Sequence, residues 1–256
     1  MSVSEEPHAQ RVVVVGASSG LGRSIGIGLA QRGATVALLA RRHDRLVDAA
    51  AEAGTKALAV RCDVTDQRSC RDAIAEAAAG MGGIDALVYA TGVGPLARLV
   101  DLDAGTWSHA FATNVTGAAL VTAAAIPHLG ASRGVAVYLS SVAASLTPPW
   151  PGLGAYVVSK AALDKLVEAW RAEHPAVGFT RIVVGDCDTG EGPSRSGFNA
   201  GWDAATAAEM YPVWQARHLL AGSLVDVDDL VRTVDHVVRL GGGATVTSVT
   251  VTPRTS

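Results

Sequence analysis

The chain has 256 residues, of which 49% are hydrophobic and 18% charged, and its formal net charge is −3 at pH 7. This length suits one large α/β domain or two small ones, and the apolar fraction is ample for a buried core. With an acidic balance and scattered arginines, the chain offers no basic patch for nucleic acid or anionic lipid. We therefore expect one domain and no nucleic-acid partner.

The first ten residues, MSVSEEPHAQ, are polar and acidic, unlike a signal peptide, and no apolar run reaches membrane-spanning length. We expect residues 1–10 to be a disordered tail and 11–256 to form a single domain with no membrane contact. Cys62, Cys70 and Cys187 have no paired metal-ligand spacing. They indicate a reducing compartment, so we expect a cytoplasmic protein without a metal site.

Apolar, β-branched runs alternate with alanine-rich segments along the chain, which is typical of βαβ units. This alternation predicts a Rossmann-like α/β fold, a doubly wound parallel sheet of about seven strands with helices on both faces. The predicted strands are 11–16, 34–40, 56–62, 84–90, 134–140, 179–185 and 245–251. The predicted helices are 20–32, 43–53, 66–80, 104–129, 156–173 and 226–239, with Asp66 and Asp226 as N-caps.

A glycine-rich turn, GASSGLG, follows the first predicted strand and leads into a helix. Gly16, Gly20 and Gly22 would let the backbone approach a pyrophosphate, and the helix N-terminus offers free N–H groups and a positive dipole end. Ser18 and Ser19 add hydroxyl groups to the same turn. On the first βα turn of a βαβ unit, this pattern predicts dinucleotide binding.

The end of the second predicted strand reads LLARRHD, with Ala40 before Arg41 and Arg42. An acidic residue there would hold the ribose hydroxyls of NAD, whereas a guanidinium suits the 2′-phosphate of NADP. The sequence therefore favours NADP(H) over NAD(H). The plainer interpretation is that both arginines are solvated residues at a strand end.

Tyr156 and Lys160 stand four residues apart in the stretch AYVVSKAALDKL. Residues four apart lie on one face of a helix, so the phenol and the ammonium group would meet. A phenol can donate a proton to a carbonyl oxygen, and a nearby cation stabilises phenolate and so lowers the pKa of the phenol. The alternative is an amphipathic helix on which Lys160 extends to solvent and Tyr156 packs against a neighbour.

The segment 186–225 mixes glycine and proline with scattered aromatic side chains. Long irregular segments inside compact domains are often functional lids, so a substrate lid is predicted here. A pair of short helices that completes the core is the alternative. The candidates to line an apolar pocket for a bulky, uncharged substrate are Val93, Leu96, Leu146, Trp150, Phe198, Met210, Tyr211 and Trp214.

Three further motifs follow in order: NVTG at 114–117, SS at 140–141 and YVVSK at 156–160. With the glycine-rich turn and the arginines, they make the chain resemble the short-chain dehydrogenase/reductase family in its compact single-domain form. The resemblance covers about residues 11 to 252. It implies the sheet order 3-2-1-4-5-6-7.

The resemblance also implies a catalytic tetrad of Asn114, Ser141, Tyr156 and Lys160. Tyr156 would be the general acid or base, and Lys160 would lower its pKa and hold the nicotinamide ribose. Ser141 would bind the substrate oxygen, and Asn114 would position a water that links Lys160 to solvent.

Residues and resemblance together predict the cofactor site. Asp63 matches the family's contact to the adenine ring, with an aspartate that caps its own loop as the equal alternative. Thr189 would bond the pyrophosphate or the carboxamide. The full predicted set is Gly16, Ser18, Ser19, Gly20, Leu21, Gly22, Arg41, Arg42, Asp63, Val64, Ala90, Gly92, Tyr156, Lys160 and Thr189.

The chain departs from the family pattern in several places. Ala90, in YATG, replaces an asparagine that normally braces the central sheet. The spacing from Ser141 to Tyr156 is two residues longer than the commonest, so Ser140 and Ser145 stay as candidates for the catalytic serine. The usual Pro-Gly after the sixth strand is replaced by GDCDTG.

These features predict an oxidoreductase that transfers a hydride between NADP(H) and a ketone or secondary alcohol. A non-catalytic NADP-binding sensor or scaffold of the same fold is the second hypothesis, since fold alone does not grant function. A third is dehydration or epimerisation through a transient ketone. The apolar helices 104–129 and 156–173 predict self-association, and the resemblance points to a homotetramer, with a homodimer as the alternative.

Overall fold

The computed structural model describes residues 9–189, 192–240 and 243–254. Within these ranges, seven parallel strands form one sheet in the order β3-β2-β1-β4-β5-β6-β7. The predicted Rossmann-like fold and strand order are confirmed. The strands are β1 (Arg11–Val15), β2 (Thr35–Ala40), β3 (Ala57–Arg61), β4 (Ala86–Tyr89), β5 (Val135–Ser141), β6 (Gly178–Val184) and β7 (Ser248–Val251).

The central strands are apolar on both faces. Val12 to Val15 of β1 and all four residues of β4 are fully buried. A parallel sheet has helices on both sides, so its central strands need no polar alternation. The helices that supply this cover are α1 (Gly20–Gln31), α2 (His43–Ala53), α3 (Gln67–Met81), α4 (Ala104–Phe111), α5 (Gly117–Ser132), α6 (Val142–Ser145), α7 (Gly154–Glu173), α8 (Ala204–Ala216) and α9 (Val227–Arg239).

The helices divide into two layers. Helices α1, α2 and α9 pack on one face of the sheet, where Leu29, Leu46 and Leu230 share one apolar cluster. Helices α3, α5 and α7 cover the other face. The predicted caps are confirmed: the Asp66 side chain accepts from backbone N–H groups at the start of α3, and Asp226 does so at the start of α9.

The single helix predicted over 104–129 is wrong in its middle. A π-helical turn, Ala112–Thr116, separates α4 from α5 and contains Asn114. The Asn114 amide there bonds the backbone of Val93, so a tertiary contact accompanies the wider turn. Periodicity of apolar residues carries no signal for such a contact.

The combined helix Ala104–Ser132 is long and apolar enough to cross a membrane by length and composition. The sequence-based statement that no apolar run reaches that length is therefore wrong. However, 44% of its most apolar window is buried in the fold, and its inner side chains belong to the sheet core. A core helix of a globular domain passes the same test, so the feature is weak evidence for a membrane span.

The segment 186–225 contains a 3-10 turn, Gly192–Ser194, and helix α8. Met210 and Trp214 of α8 are buried in a separate apolar cluster with Trp150 and Leu153. One helix, α8, thus completes this cluster, whereas the alternative interpretation of the segment predicts a pair of short helices. Residues 190 and 191 lie outside the described residues.

Candidate active site

A cavity of about 630 Å³ opens at the carboxyl ends of the central strands. β1 and β4 are neighbours there, although the chain passes through β2 and β3 between them. Such a topological switch point is where doubly wound sheets bind ligands. The predicted cofactor residues that line this cavity are Gly16, Ser18, Ser19, Gly20, Leu21, Arg41, Arg42, Asp63, Val64, Ala90, Gly92, Tyr156, Lys160 and Thr189.

The glycine-rich turn has a backbone that side chains would not fit. Gly16 has φ +91°, and a Cβ there would lie 2.6 Å from Thr91 Oγ1. A Cβ on Gly22 would overlap the Gly16 carbonyl, so Gly22 serves the packing of the turn. Helix α1 begins directly after the turn, and the side chain of its N-cap, Ser19, makes no capping hydrogen bond. The turn therefore fits a pyrophosphate.

Two guanidinium groups stand beside this turn. Arg42 Nη2 donates to Ser18 Oγ at 2.9 Å and to Ser19 Oγ at 2.8 Å. Arg41 is exposed and also lines the cavity. Burial lowers the pKa of Arg42, and repulsion from Arg45 and Arg41 adds to that shift.

Asp63 holds its own loop together at the cavity wall. Its Oδ1 accepts from Thr65 N at 3.0 Å and from Thr65 Oγ1 at 2.7 Å. Burial would raise the pKa of Asp63, but the Thr65 hydrogen bonds and the charges of Arg41 and Arg61 outweigh it and hold the pKa below its usual value. The loop-capping interpretation is thus confirmed, while the adenine contact stays a prediction.

Tyr156, Ser141 and Lys160 line the same cavity. Tyr156 and Lys160 lie in the first turns of α7, and Ser141 ends β5. The Ser141 side chain lies next to Tyr156, where it favours the phenolate and so lowers the pKa of the phenol. Lys160 Nζ lies 5.9 Å from the centroid of the Tyr156 ring and donates to the Leu139 carbonyl at 2.7 Å. The arrangement joins a proton donor, a second hydroxyl and a cation.

The structure distinguishes between the three candidate serines. Ser141 is the one whose side chain affects the pKa of Tyr156, so it lies next to the phenol. Ser140 lines the cavity, and its buried Oγ has no partner among the described residues. Ser145 is exposed on α6. Despite the longer spacing, Ser141 and not one of the other two serines therefore lies next to Tyr156.

Burial governs the pKa values of Tyr156 and Lys160. It raises the pKa of Tyr156, and the hydrogen bond with Ser141 opposes only part of that rise. It lowers the pKa of Lys160 to about 8, against an opposing effect of Asp164. The prediction that Lys160 lowers the pKa of Tyr156 below its usual value is therefore wrong for the protein without cofactor. Burial disfavours the charged phenolate, and this effect is the larger one.

Asn114 is fully buried and braces the loop after β4. Its Nδ2 donates to Val93 O at 2.9 Å and to Ser159 Oγ at 2.8 Å, and its Oδ1 accepts from Val93 N at 2.8 Å. A Cβ added to Gly92 would lie 3.4 Å from Lys160 Nζ and 3.6 Å from Asn114 Oδ1. Asn114 and Lys160 thus approach the same glycine. Ser159 was missed because nothing in its sequence context distinguishes it.

The predicted apolar pocket residues separate into three groups. Val93, Trp150 and Phe198 line the cavity, and Trp202 and Leu153 join them unpredicted. Leu96, Met210 and Trp214 form the packed cluster behind the wall. Leu146 and Tyr211 were wrongly assigned, since they are 57% and 46% exposed. Thr189 lines the cavity, and its Oγ1 accepts from Ser196 N at 2.9 Å.

Comparison with known proteins decides the family. The sequence model of the short chain dehydrogenase family matches residues 10–192. The chain belongs to the short-chain dehydrogenase/reductase family. Short-chain dehydrogenases are oxidoreductases that bind a nicotinamide cofactor and act on small molecules.

Three curated short-chain dehydrogenases illustrate the likeness. A short chain dehydrogenase of Pseudocercospora fijiensis is 33% identical over 207 residues, 78% of this chain and 65% of the relative. 11-beta-hydroxysteroid dehydrogenase A of Sesamum indicum is 34% identical over 71% of this chain and 53% of the relative. Cis-4-hydroxycyclohexanecarboxylate dehydrogenase of Sinomonas cyclohexanicum is 34% identical over 72% of this chain and 76% of the relative. The chain thus spans about half to two thirds of the first two relatives.

Solved structures agree in fold. A short-chain dehydrogenase from Streptomyces avermitilis superposes with a TM-score of 0.80 at 26% identity, over 96% of this chain and 89% of the other. An alcohol dehydrogenase from Thermococcus sibiricus, complexed with 5-hydroxy-NADP, superposes with a TM-score of 0.78 at 24% identity, over 95% of this chain and 96% of the other. At 24% identity, the similarity to the Thermococcus sibiricus structure supports the fold alone.

The buried ammonium group of Lys160 should cost stability at neutral pH. Its pKa falls from 10.5 to about 8 on folding, so the unfolded chain binds more protons between those values. The cost is full below pH 8 and disappears as the pH rises towards 10.5. Lys160→Met should therefore stabilise the fold at pH 7 by about 2 kcal/mol, allowing for the lost bond to Leu139, and raise Tm by about 4–8 °C.

Thermal unfolding at pH 7 and pH 10 measures this gain, which should shrink at the higher pH. Lys165→Met is the matched control, because the Lys165 side chain is 79% exposed on the same helix. A Lys160→Met protein that melts at the wild-type temperature at pH 7 would contradict the expectation.

Proposed function

We propose that the chain is an NADP(H)-dependent oxidoreductase that transfers a hydride between the nicotinamide and a ketone or secondary alcohol of an apolar substrate. The proximity of the Tyr156 and Ser141 side chains in one cavity carries this proposal. It puts two hydroxyl groups where one carbonyl oxygen can accept from both. The same cavity contains the phosphate-type turn and Lys160.

The proposed roles follow from the charge that develops during reduction. When bound in the cavity, NADPH would supply the hydride to the carbonyl carbon. Negative charge then grows on the carbonyl oxygen, where Ser141 donates a hydrogen bond and Tyr156 delivers its proton. A Tyr156 pKa above its usual value keeps the phenol protonated at neutral pH, which suits reduction. In the reverse direction the phenolate takes the proton of the alcohol.

Lys160 supports this proton transfer in the proposal. Its ammonium group would stabilise the phenolate left on Tyr156, and it would hold the ribose of a bound cofactor. Asn114 holds the backbone of Val93 beside Lys160 and thereby fixes the loop that borders the site. We assign it the positioning of a water next to Lys160.

The choice of NADP(H) over NAD(H) is supported by Arg42 and Arg41. A guanidinium makes charge-assisted bonds to a phosphate dianion, and Ser18 and Ser19 hold that of Arg42 beside the phosphate-type turn. Ala40 leaves the end of β2 without the acidic side chain that would bind ribose hydroxyls. The apolar nature of the substrate is supported by Trp150, which lines the cavity with other apolar residues.

Purified protein with NADPH and a panel of cyclic and aromatic ketones tests the proposal. Loss of NADPH absorbance should accompany formation of the matching secondary alcohol. Binding of NADPH without turnover of any ketone or alcohol would favour the sensor or scaffold hypothesis. Formation of a dehydrated or epimerised product without net NADPH loss would favour the third hypothesis.

We further propose one domain over 11–256 with a lid over 186–225, and a cytoplasmic location. The lid is supported by Phe198 and Trp202, which belong to this segment and line the cavity. The compartment is supported by Cys62, Cys70 and Cys187, which are free thiols.

We expect the protein to self-associate, as a homotetramer or else a homodimer. Helix Ala104–Ser132 is apolar, with 44% of its most apolar window buried in the fold, and Val158 on α7 is 47% exposed. Apolar side chains that helices leave at the surface are a common component of subunit interfaces. Light scattering coupled to size-exclusion chromatography should give a multiple of 26.1 kDa, and a mass of 26.1 kDa at working concentration would remove the claim.

A further inference from the structure

The ring of Phe198 touches the ring of Tyr156. The two centroids lie 4.9 Å apart and the planes cross at 71°, an edge-to-face contact. Phe198 also packs against Gly94, where an added Cβ would overlap atoms of the Phe198 ring. Phe198 thus contacts both the glycine and Tyr156.

Neighbouring contacts fix the position of this ring. Trp202 lies edge-on to Phe198 with centroids 5.6 Å apart, and its Nε1 donates to the Gly94 carbonyl at 2.8 Å. Phe198 N donates to Ser196 Oγ at 3.1 Å. A ring anchored through both its backbone and its flanks behaves as a wall rather than a loose side chain.

The wall also decides what fits next to Tyr156. A centroid distance of 4.9 Å leaves no room for a second ring between Phe198 and Tyr156. Trp150 and Leu153, which are apolar, line the same cavity, and Tyr156 packs against the cluster that contains them. The described charged residues of the cavity are Arg41, Arg42, Asp63, Lys160 and Asp186.

None of these charges suits an anionic substrate. Arg41 and Arg42 flank the phosphate-type turn, and Lys160 Nζ is bonded to the Leu139 carbonyl. The Asp186 carboxylate accepts from Ala221 N at 3.2 Å and would repel an anion. The space beside Tyr156 therefore fits an uncharged ring.

We propose that Phe198 is a specificity-determining residue that restricts the substrate to an uncharged ketone or alcohol on a single ring. A second fused ring meets the Phe198 side chain before the carbonyl oxygen reaches Tyr156. The inference rests on the proposed function for its chemistry, since the oxygen that approaches Tyr156 is the one to be reduced.

Two ketones that differ by one ring test the inference: cyclohexanone and 2-decalone. Wild-type protein should have the higher kcat/KM for cyclohexanone. Phe198→Ala should raise the ratio of the decalone value to the cyclohexanone value by about tenfold, mostly through KM, because the excluded ring now fits. If Phe198 were merely structural, both values would fall together and the ratio would not move, which would overturn the inference.

Tyr211→Ala is the matched control for loss of a lid aromatic. Tyr211 contacts Trp214, at a centroid distance of 5.1 Å, and is largely exposed. Its removal should leave the ketone ratio within about twofold of wild type. A ratio that shifts equally in Tyr211→Ala would show general loosening of the lid and would count against Phe198.

The contact with Gly94 gives a second, independent test. Gly94→Ala should lower kcat/KM for cyclohexanone by about tenfold, since the new methyl group displaces the Phe198 ring. In the Phe198→Ala background the same change should cost less than about twofold, because nothing remains to be displaced. Equal losses of kcat/KM in both backgrounds would refute the proposed role of Phe198.

A binding measurement separates this inference from the proposed function. Trp202 beside Phe198 makes tryptophan fluorescence a reporter of ring binding in the NADP⁺-loaded protein. Suppose that no ketone is turned over, but the ratio of decalone affinity to cyclohexanone affinity rises about tenfold in Phe198→Ala. The role of Phe198 in ring selection would then stand, and the proposed oxidoreductase function would be refuted. An unchanged affinity ratio would refute the proposal that Phe198 excludes a second ring.

Discussion

Tyr156→Phe should lower the rate of ketone reduction by about 10²–10⁴-fold and leave NADPH affinity within about twofold of wild type. The change removes the one hydroxyl that donates a proton to the substrate oxygen and keeps the ring that packs against Phe198. Among the described residues of the cavity, Ser141 is the other hydroxyl at this point, and it can hold the oxygen but is a far weaker acid. Single-turnover reduction of cyclohexanone with NADPH and fluorescence titration of NADPH measure the two quantities.

The pH profile of alcohol oxidation checks the same assignment in wild-type protein. Burial raises the pKa of Tyr156 above its usual value, so the phenolate needed as base is scarce at pH 7. The oxidation rate should therefore climb as the pH rises from 7 towards 8, where Lys160 begins to lose its proton, whereas reduction should not. A Tyr156→Phe protein with wild-type rates, or an oxidation rate that falls with rising pH, would refute the role of Tyr156.

Ser141→Ala serves as the matched control for loss of one hydroxyl. It should slow reduction less than Tyr156→Phe, because the proton donor remains and one hydrogen bond to the oxygen is lost. A larger loss in Ser141→Ala than in Tyr156→Phe would exchange the proposed roles of the two residues.

Local patterns were sufficient to predict most of the fold. Alternation of apolar runs predicted all strands near their observed positions, because a parallel sheet covered on both faces demands continuous apolar segments. The sheet order came only with the family resemblance, since many strand orders satisfy the same alternation. Asp66 and Asp226 were predictable as caps because a cap bonds the backbone of its own helix.

The features that were missed depend on contacts between distant parts of the chain. The π-turn at Asn114 accompanies a bond to Val93, and Trp202 reaches the cavity through a bond to Gly94. The raised pKa of Tyr156 reflects burial by many neighbours, whereas the sequence displayed only the nearby Lys160. Contacts of this kind leave no periodic trace in the sequence.

Arg42→Ala should reduce the preference for NADPH over NADH by about 100-fold. Hydrogen bonds to a charged group contribute about 1.5–3 kcal/mol each, and a guanidinium can offer two to the 2′-phosphate. Ser18 and Ser19 already hold the Arg42 side chain beside the turn, so little side-chain entropy is lost on binding. NADH has no 2′-phosphate, and its affinity should stay within about threefold of wild type. Dissociation constants for both cofactors, measured at one salt concentration, give the preference.

Substitution of Arg41 distinguishes a direct contact with the 2′-phosphate from a general effect of positive charge. It is exposed and no described side chain holds it in place, so Arg41→Ala should reduce the preference by only about three- to tenfold, and added salt should weaken that effect. Arg68→Ala removes the same charge from an 83% exposed position on α3 and should change neither affinity. Arg42→Lys should recover only part of the preference, because an ammonium group cannot bond a phosphate in the bidentate manner. If Arg42→Ala weakened NADPH and NADH equally, Arg42 would hold the pyrophosphate or the turn, and the preference for NADP(H) would have to come from elsewhere.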